Sequence, residues 1–145
     1  MEQKIDRFDG EYAFLSNFYE SPIKDENGVT YPTVEHYFQA MKTLSPFMRN
    51  LIATAPTPGQ AKKLGRHVDL RPKWEEVKID VMRLGLKLKF MSHPELKEKL
   101  LATGDAYLEE GNWWKDRYWG VCNGIGENML GKLLMELRDE LREEK

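Results

Sequence analysis

The stretch Gly28-Val-Thr-Tyr-Pro-Thr-Val-Glu-His-Tyr-Phe-Gln-Ala-Met-Lys42 changes its structural period halfway along. Val29 to Tyr31 is a short β-forming run after Asn27-Gly28, a dipeptide that favours the positive φ of a tight turn. It is expected to pair with the extended piece around Pro22-Ile23. Pro32 interrupts it, Thr33 is a fitting N-cap, and from Val34 to about Leu44 the pattern is helical. Along that helix Val34, Tyr37, Phe38 and Met41 form an apolar arc for a core. Glu35, Gln39 and Lys42 fall at i, i+4 and i+7, within about 60° of one another at the helical repeat. One helix therefore presents a carboxylate, an amide and an amine in a line beside its core face. Taken alone, that line also describes a solvated amphipathic stripe with an acidic residue favoured by the helix dipole.

Working outward, residues 5–14 carry Phe8, Tyr12 and Phe14 around Gly10 and predict a short hairpin. Past the central helix, Pro46 to Ala53 predicts a second helix. Pro58 to Leu64 predicts a third, closed by Gly65 as a C-cap signal. Trp74, Val77, Val81, Leu84 and Leu88 hold helical spacing over about four turns. Ser92-His-Pro-Glu95 is a capping box opening a helix through Leu96, Leu100 and Leu101 that ends at Gly104. Residues 106–109 and 118–122 suggest strands, and Glu127 to about Glu143 is the last helix, with Leu130, Leu133, Leu134 and Leu137 inward. With no repeat, linker or low-complexity tract, the expectation is one compact α+β domain over 1–145: several helices packed around a small, partly antiparallel sheet.

Composition narrows the function. The chain has 145 residues, 41% hydrophobic and 32% charged, with a net charge of −2, so no overall basic field attracts a nucleic-acid backbone. One cysteine, Cys122, forms no internal disulfide framework and suits a reducing compartment. The start shows no secretory h-region, and no apolar run approaches the ~20 residues of a membrane span. A cytoplasmic protein without membrane attachment is expected. His36, His67 and His93 lack the spacing of a metal site, and one Cys makes no thiolate site, so no metal and no cofactor are expected.

The second distinctive stretch is Glu110-Gly-Asn-Trp-Trp-Lys-Asp-Arg-Tyr-Trp-Gly-Val-Cys122, with three of the chain's four tryptophans. Aromatic faces among Asn112, Asp116 and Arg117 are costly to bury without polar partners and suit a base or nucleoside. Gly124-Ile-Gly126-Glu-Asn128 before a helix offers backbone N–H groups to an anion, a weak signal that also describes any tight turn. Lys62, Lys63 and Arg66 form a local positive cluster in which the guanidinium fork suits phosphate. A solvated surface is the simpler reading of that cluster.

These segments together resemble the NADAR superfamily, the YbiA-like proteins. The resemblance rests on Phe14-Leu-Ser-Asn-Phe-Tyr19 with Ser21-Pro-Ile23, Tyr31 to Lys42, Gly65-Arg66, Lys89-Phe90, Leu101 to Gly104, Glu110 to Gly120 and Gly126 to Arg138. It covers nearly the whole chain and departs at Val121-Cys122, where many relatives carry a Gly-containing pair. It implies a helix-dominated α+β domain and N-glycosidase chemistry. The substrates it implies are phosphoribosylamino-pyrimidine intermediates of riboflavin synthesis or ADP-ribose on guanine, including ADP-ribosylated nucleic acid. Carried onto this sequence, it implies Glu35, Lys42 and Asp116 as catalytic groups. Asn17, Phe18, Gln39, Arg66, Trp119 and Asn128 become substrate-binding residues. Cleavage of an N-glycosidic bond develops positive charge on ribose, which a carboxylate stabilises while it activates water. Either Glu35 or Asp116 would face the anomeric carbon. Lys42 would be a Schiff-base amine or a phosphate partner. The alternative is a module that binds ADP-ribose or a nucleotide without cleaving it.

Overall fold

The computed structural model describes residues 3–144; Met1, Glu2 and Lys145, the ends of the expected domain, lie outside the described residues. The described residues divide into two compact units, one running to Ser16 and resuming at Pro94, the other spanning Asn17–His93. Both are helix-dominated, and the α+β class holds.

The unit Asn17–His93 is built around the central helix of the opening stretch. Strands β2 (Ile23–Lys24) and β3 (Thr30–Tyr31) form the expected antiparallel hairpin, with Ile23 opposite Tyr31. Its turn is tied by Asp25: Oδ1 accepts from the Asn27 and Val29 N–H groups and Oδ2 from the Tyr31 hydroxyl. Gly28 supplies the positive φ. Helix α1 (Val34–Ala40) starts at Thr33, whose hydroxyl accepts from His36 N. It ends at Ala40, earlier than the apolar pattern suggests, and the Lys42 carbonyl beyond it accepts from the Arg71 N–H. Ser45 then caps α2 (Pro46–Ala53), and Thr57 caps α3 (Pro58–Gly65), each with Pro in the first turn.

Helix α4 (Trp74–Ser92) follows over the expected spacing. Its buried positions are Trp74, Met82, Gly85, Leu86, Lys89 and Phe90; of the spaced apolar series Val77, Val81 and Leu88 are half-buried and Leu84 points outward. Gly85 sits where the helix approaches α1. A Cβ there would lie 3.0 Å from the Tyr37 ring, so α4 meets α1 through its smallest residue.

The other unit packs α5 (Pro94–Ala102) and α6 (Met129–Glu143) with short strands. The hairpin expected over residues 5–14 is not formed. Strand β1 (Lys4–Ile5) instead pairs in parallel with β4 (Tyr107–Leu108), and Gly10–Leu15 coils into a 3-10 helix. Phe14 and Leu15 are both buried, which adjacent residues of a one-sided strand cannot be. A second parallel pair joins β5 (Gly111–Asn112) to β6 (Val121–Cys122). Among the described residues the strands therefore form three separate two-stranded ladders, one antiparallel and two parallel. Helix α6 presses on β4 at Gly131, where a Cβ would overlap the Leu108 carbonyl oxygen.

Candidate active site

Helix α1 places the first two members of its polar line under cover. Glu35 is 9% exposed and Gln39 3%. The Glu35 backbone N–H, one of the donors a helix start leaves unpaired, is taken by the Asn17 carbonyl at 3.1 Å. One turn on, Gln39 Nε2 donates to Glu35 Oε2 at 2.6 Å. The amide must face this way, since the opposite orientation would set two acceptors against each other. Gln39 Oε1 is left buried and without a hydrogen-bond partner, and so is Asn17 Oδ1, whose Nδ2 rests on Met82 Sδ at 3.4 Å. Two buried carbonyl oxygens are thus orphaned, one on the amide that bonds the Glu35 carboxylate and one on the residue whose backbone takes the Glu35 N–H, and both call for donors.

Lys42 completes the line just past the end of α1. It is half-buried, with Nζ 5.8 Å from the Phe38 ring centre. Burial lowers its basicity; the Glu35 charge opposes that shift, and Lys62, Arg66 and Lys78 reinforce it. Arg66, exposed at the C-cap of α3, thus acts on the same amine. Phe18, 48% exposed, adjoins Asn17 in sequence. His36, between Glu35 and Tyr37, is a structural group. Its ring nitrogens meet Thr33 Oγ1 and the Ala55 carbonyl, and burial lowers its pKa.

Asp116, Trp119 and Asn128 belong to the other unit and organise one loop. Asp116 Oδ1 accepts from the Tyr118 and Trp119 N–H groups at 3.1 and 2.9 Å. Asn112 closes the other side, donating to the Asp116 carbonyl and accepting from its N–H. Trp119 is half-buried and edge-on to Tyr118, whereas Trp113 is 84% exposed. Asn128 adopts a left-handed φ of 53° and is buried, donating to the Leu108 carbonyl and accepting from Glu110 N. The glycines of 124–126 do not open the start of α6 to an anion. Its Met129 and Leu130 N–H groups are taken by the Tyr118 and Trp119 carbonyls.

Sequence reasoning misread one residue beside the polar line. Gly65 is not among the glycines of positive φ, so it is no left-handed cap. A Cβ there would overlap Gln39 Oε1 and stand 2.8 Å from Gln39 Cδ. Its sequence signal, a glycine after a helical run, is the same for both roles.

The fold and this constellation define a helix-dominated α+β protein holding a buried carboxylate–amide pair beside an amine of lowered basicity. Residues 5–142 match the NADAR domain. The N-glycosidase YbiA of Shigella flexneri serotype 5b is 48% identical over 138 residues, covering 93% of this chain and 85% of that protein. A riboflavin biosynthesis protein of Vibrio vulnificus is 37% identical, covering 99% of this chain and 40% of its own length. The NMR structure of Escherichia coli YbiA superimposes with a TM-score of 0.87 at 45% identity, over 99% of this chain and 88% of that one. The chain belongs to the NADAR family. That membership sets it among the hydrolases acting on N-glycosyl compounds.

Proposed function

We propose that the chain hydrolyses the C–N bond joining ribose 5-phosphate to the amine of an aminopyrimidine, with Glu35 as the carboxylate facing the anomeric carbon. The observation that carries this reading is the Glu35–Gln39 pair, 2.6 Å apart and buried, with unpartnered acceptor oxygens on Gln39 and on Asn17, whose backbone carbonyl meets the Glu35 N–H. Ribose hydroxyls and an exocyclic amine are the donors such a place takes. Asn17 Oδ1 and Gln39 Oε1 would accept from them, and Phe18 would lie against the sugar or base. Arg66, with Lys62, would hold the phosphate.

Glu35 is preferred over Asp116 because Asp116 Oδ1 already accepts two backbone N–H groups that hold its loop. In the same reading Asp116 and Asn128 shape the 110–128 loop, and Trp119 offers it an aromatic face. As C–N cleavage proceeds, the Glu35 charge stabilises the developing oxocarbenium ion and takes a proton from the attacking water. That proton is returned to the leaving nitrogen, which restores the carboxylate and leaves the free aminopyrimidine and ribose 5-phosphate.

The lowered basicity of Lys42 supports a second route on the same residues. Neutral Nζ adds to C1 of the ring-opened sugar, and the aminopyrimidine leaves with a proton. Water then hydrolyses the Lys42–sugar imine, releasing the sugar phosphate and restoring the amine.

The test is mass spectrometry of protein incubated separately with the phosphoribosylamino-pyrimidine and with an ADP-ribosylated guanine oligonucleotide. The reading expects ribose 5-phosphate from the first, lost in Glu35→Gln. ADP-ribose from the second alone would move the substrate to the nucleic-acid branch. Intact substrates in both would overturn the reading. Borohydride added during turnover separates the two routes, because only the imine route leaves a reduced sugar on Lys42.

A further inference from the structure

Helix α3 turns Ala61 and Gly65, one turn apart and both buried, inward, and packs on α1. At Gly65 the approach reaches the atoms of Gln39. A Cβ would overlap Oε1, stand 2.8 Å from Cδ and 3.1 Å from Cβ of that side chain. Gln39 is 3% exposed and its amide has one hydrogen-bond partner to lose, the Glu35 carboxylate at 2.6 Å. Nothing on the Oε1 side anchors it, since that oxygen is unpartnered. The amide of this buried side chain therefore has one hydrogen bond to fix it, to Glu35, and the space at Gly65 that accommodates its Oε1.

We infer that Gly65 is a positioning residue for Glu35, acting through Gln39. Glycine at 65 lets α3 back the amide closely enough that Nε2 meets Oε2, and any larger residue drives the amide off the carboxylate. This rests on the proposed role of Glu35 for its effect on turnover, but the structural coupling stands apart from that role.

The experiment is a double-mutant cycle of Gly65→Ala and Gln39→Ala, read by kcat and KM, by thermal denaturation and by carbon-13 NMR titration of the Glu35 carboxyl. The Glu35 signal is assigned by its loss in Glu35→Gln. Removing a donor from a carboxylate raises its pKa, so both single variants should move the Glu35 titration upward by a similar amount. Each should lower kcat by about tenfold or more, with KM within about threefold. The double variant should be no worse than Gln39→Ala, because truncating Gln39 removes the atoms that the methyl group introduced by Gly65→Ala would strike first.

Losses that multiply in the double variant, or a Glu35 titration unmoved by Gly65→Ala, would overturn the inference and leave Gly65 as a helix-end residue. Should Gly65→Ala fail to fold, restored folding in the Gln39→Ala background supports the coupling, and failure in both overturns it. Absence of turnover in the unmutated protein would defeat the substrate proposal alone, since the carboxyl titration still decides the role of Gly65.

Discussion

Glu35 stands in the first turn of α1 and Lys42 seven residues on, just past its end, and the fold treats them differently. The carboxylate is buried against an amide donor, whereas the amine is half-buried and surrounded by other cations. Replacing Glu35 by Gln keeps the shape and removes the charge. Turnover is expected to fall by about 100-fold or more, measured as released sugar phosphate. For Lys42 the pH dependence discriminates. Burial and the nearby cations move its deprotonation below the ordinary lysine range of about 10.5. As a reacting amine it must be neutral, so turnover would rise with pH through that lowered range. Lys42→Arg, charged at every pH, would abolish this limb and with it the borohydride-trapped adduct. As a phosphate partner the cation must persist, and Lys42→Arg would keep most of the activity with a raised KM.

At the scale of elements, the loop between β5 and β6 is tied by the side chains of Asp116 and Asn112. Asp116→Ala strands two backbone N–H groups and is expected to cost on the order of 1–3 kcal/mol in urea denaturation. Asp116→Asn keeps an acceptor while removing the charge, so stability and turnover should both survive largely intact. A stable but inactive Asp116→Asn would return the catalytic carboxylate to position 116. The start of α1 makes a smaller prediction. Thr33→Ala removes the acceptor for the His36 N–H and the hydroxyl at the His36 ring. A loss of about 1 kcal/mol is expected from the cap alone.

At the scale of the whole molecule, one buried group sets a pH dependence of stability. Lys89 is fully buried, 5.7 Å from the Tyr19 ring centre and 5.1 Å from that of Phe90. Burial pushes its pKa down to about 7 from 10.5. Between those values the unfolded chain holds a proton that the folded chain does not. Stability therefore rises with pH across that window, by at most about 1.4 kcal/mol per unit. Below pH 7 both states are charged, and the folded state carries the full cost of burying an ammonium. Urea denaturation at about pH 7, 8 and 9 should show the rise, and Lys89→Met should flatten it. An unchanged slope in the variant would assign the dependence to another group. No described helix is long and apolar enough to cross a membrane.

Local chemistry was legible in the sequence. Thr33 announced one helix start, Pro46 and Pro58 stood at the start of two more, Asn27-Gly28 marked a hairpin, and the spacing of Glu35 and Gln39 gave a shared side of α1. Each rests on residues within a turn or two, and the helical and strand periods carry that information directly. Tertiary structure decided whatever needed a partner distant in the chain. The parallel pairing of Ile5 with Leu108 displaced a plausible hairpin, and the Tyr37 ring stands where α4 has only Gly85 to present. Asn128, a substrate-binding residue by resemblance, meets the Leu108 carbonyl and Glu110 N–H, partners only the fold brings to it. Gly65 looked like a cap, and it makes room for Gln39 on a different helix. A sequence states which groups a chain carries, but the packing of distant segments decides which of them meet, because close approach is fixed by the shape of both surfaces.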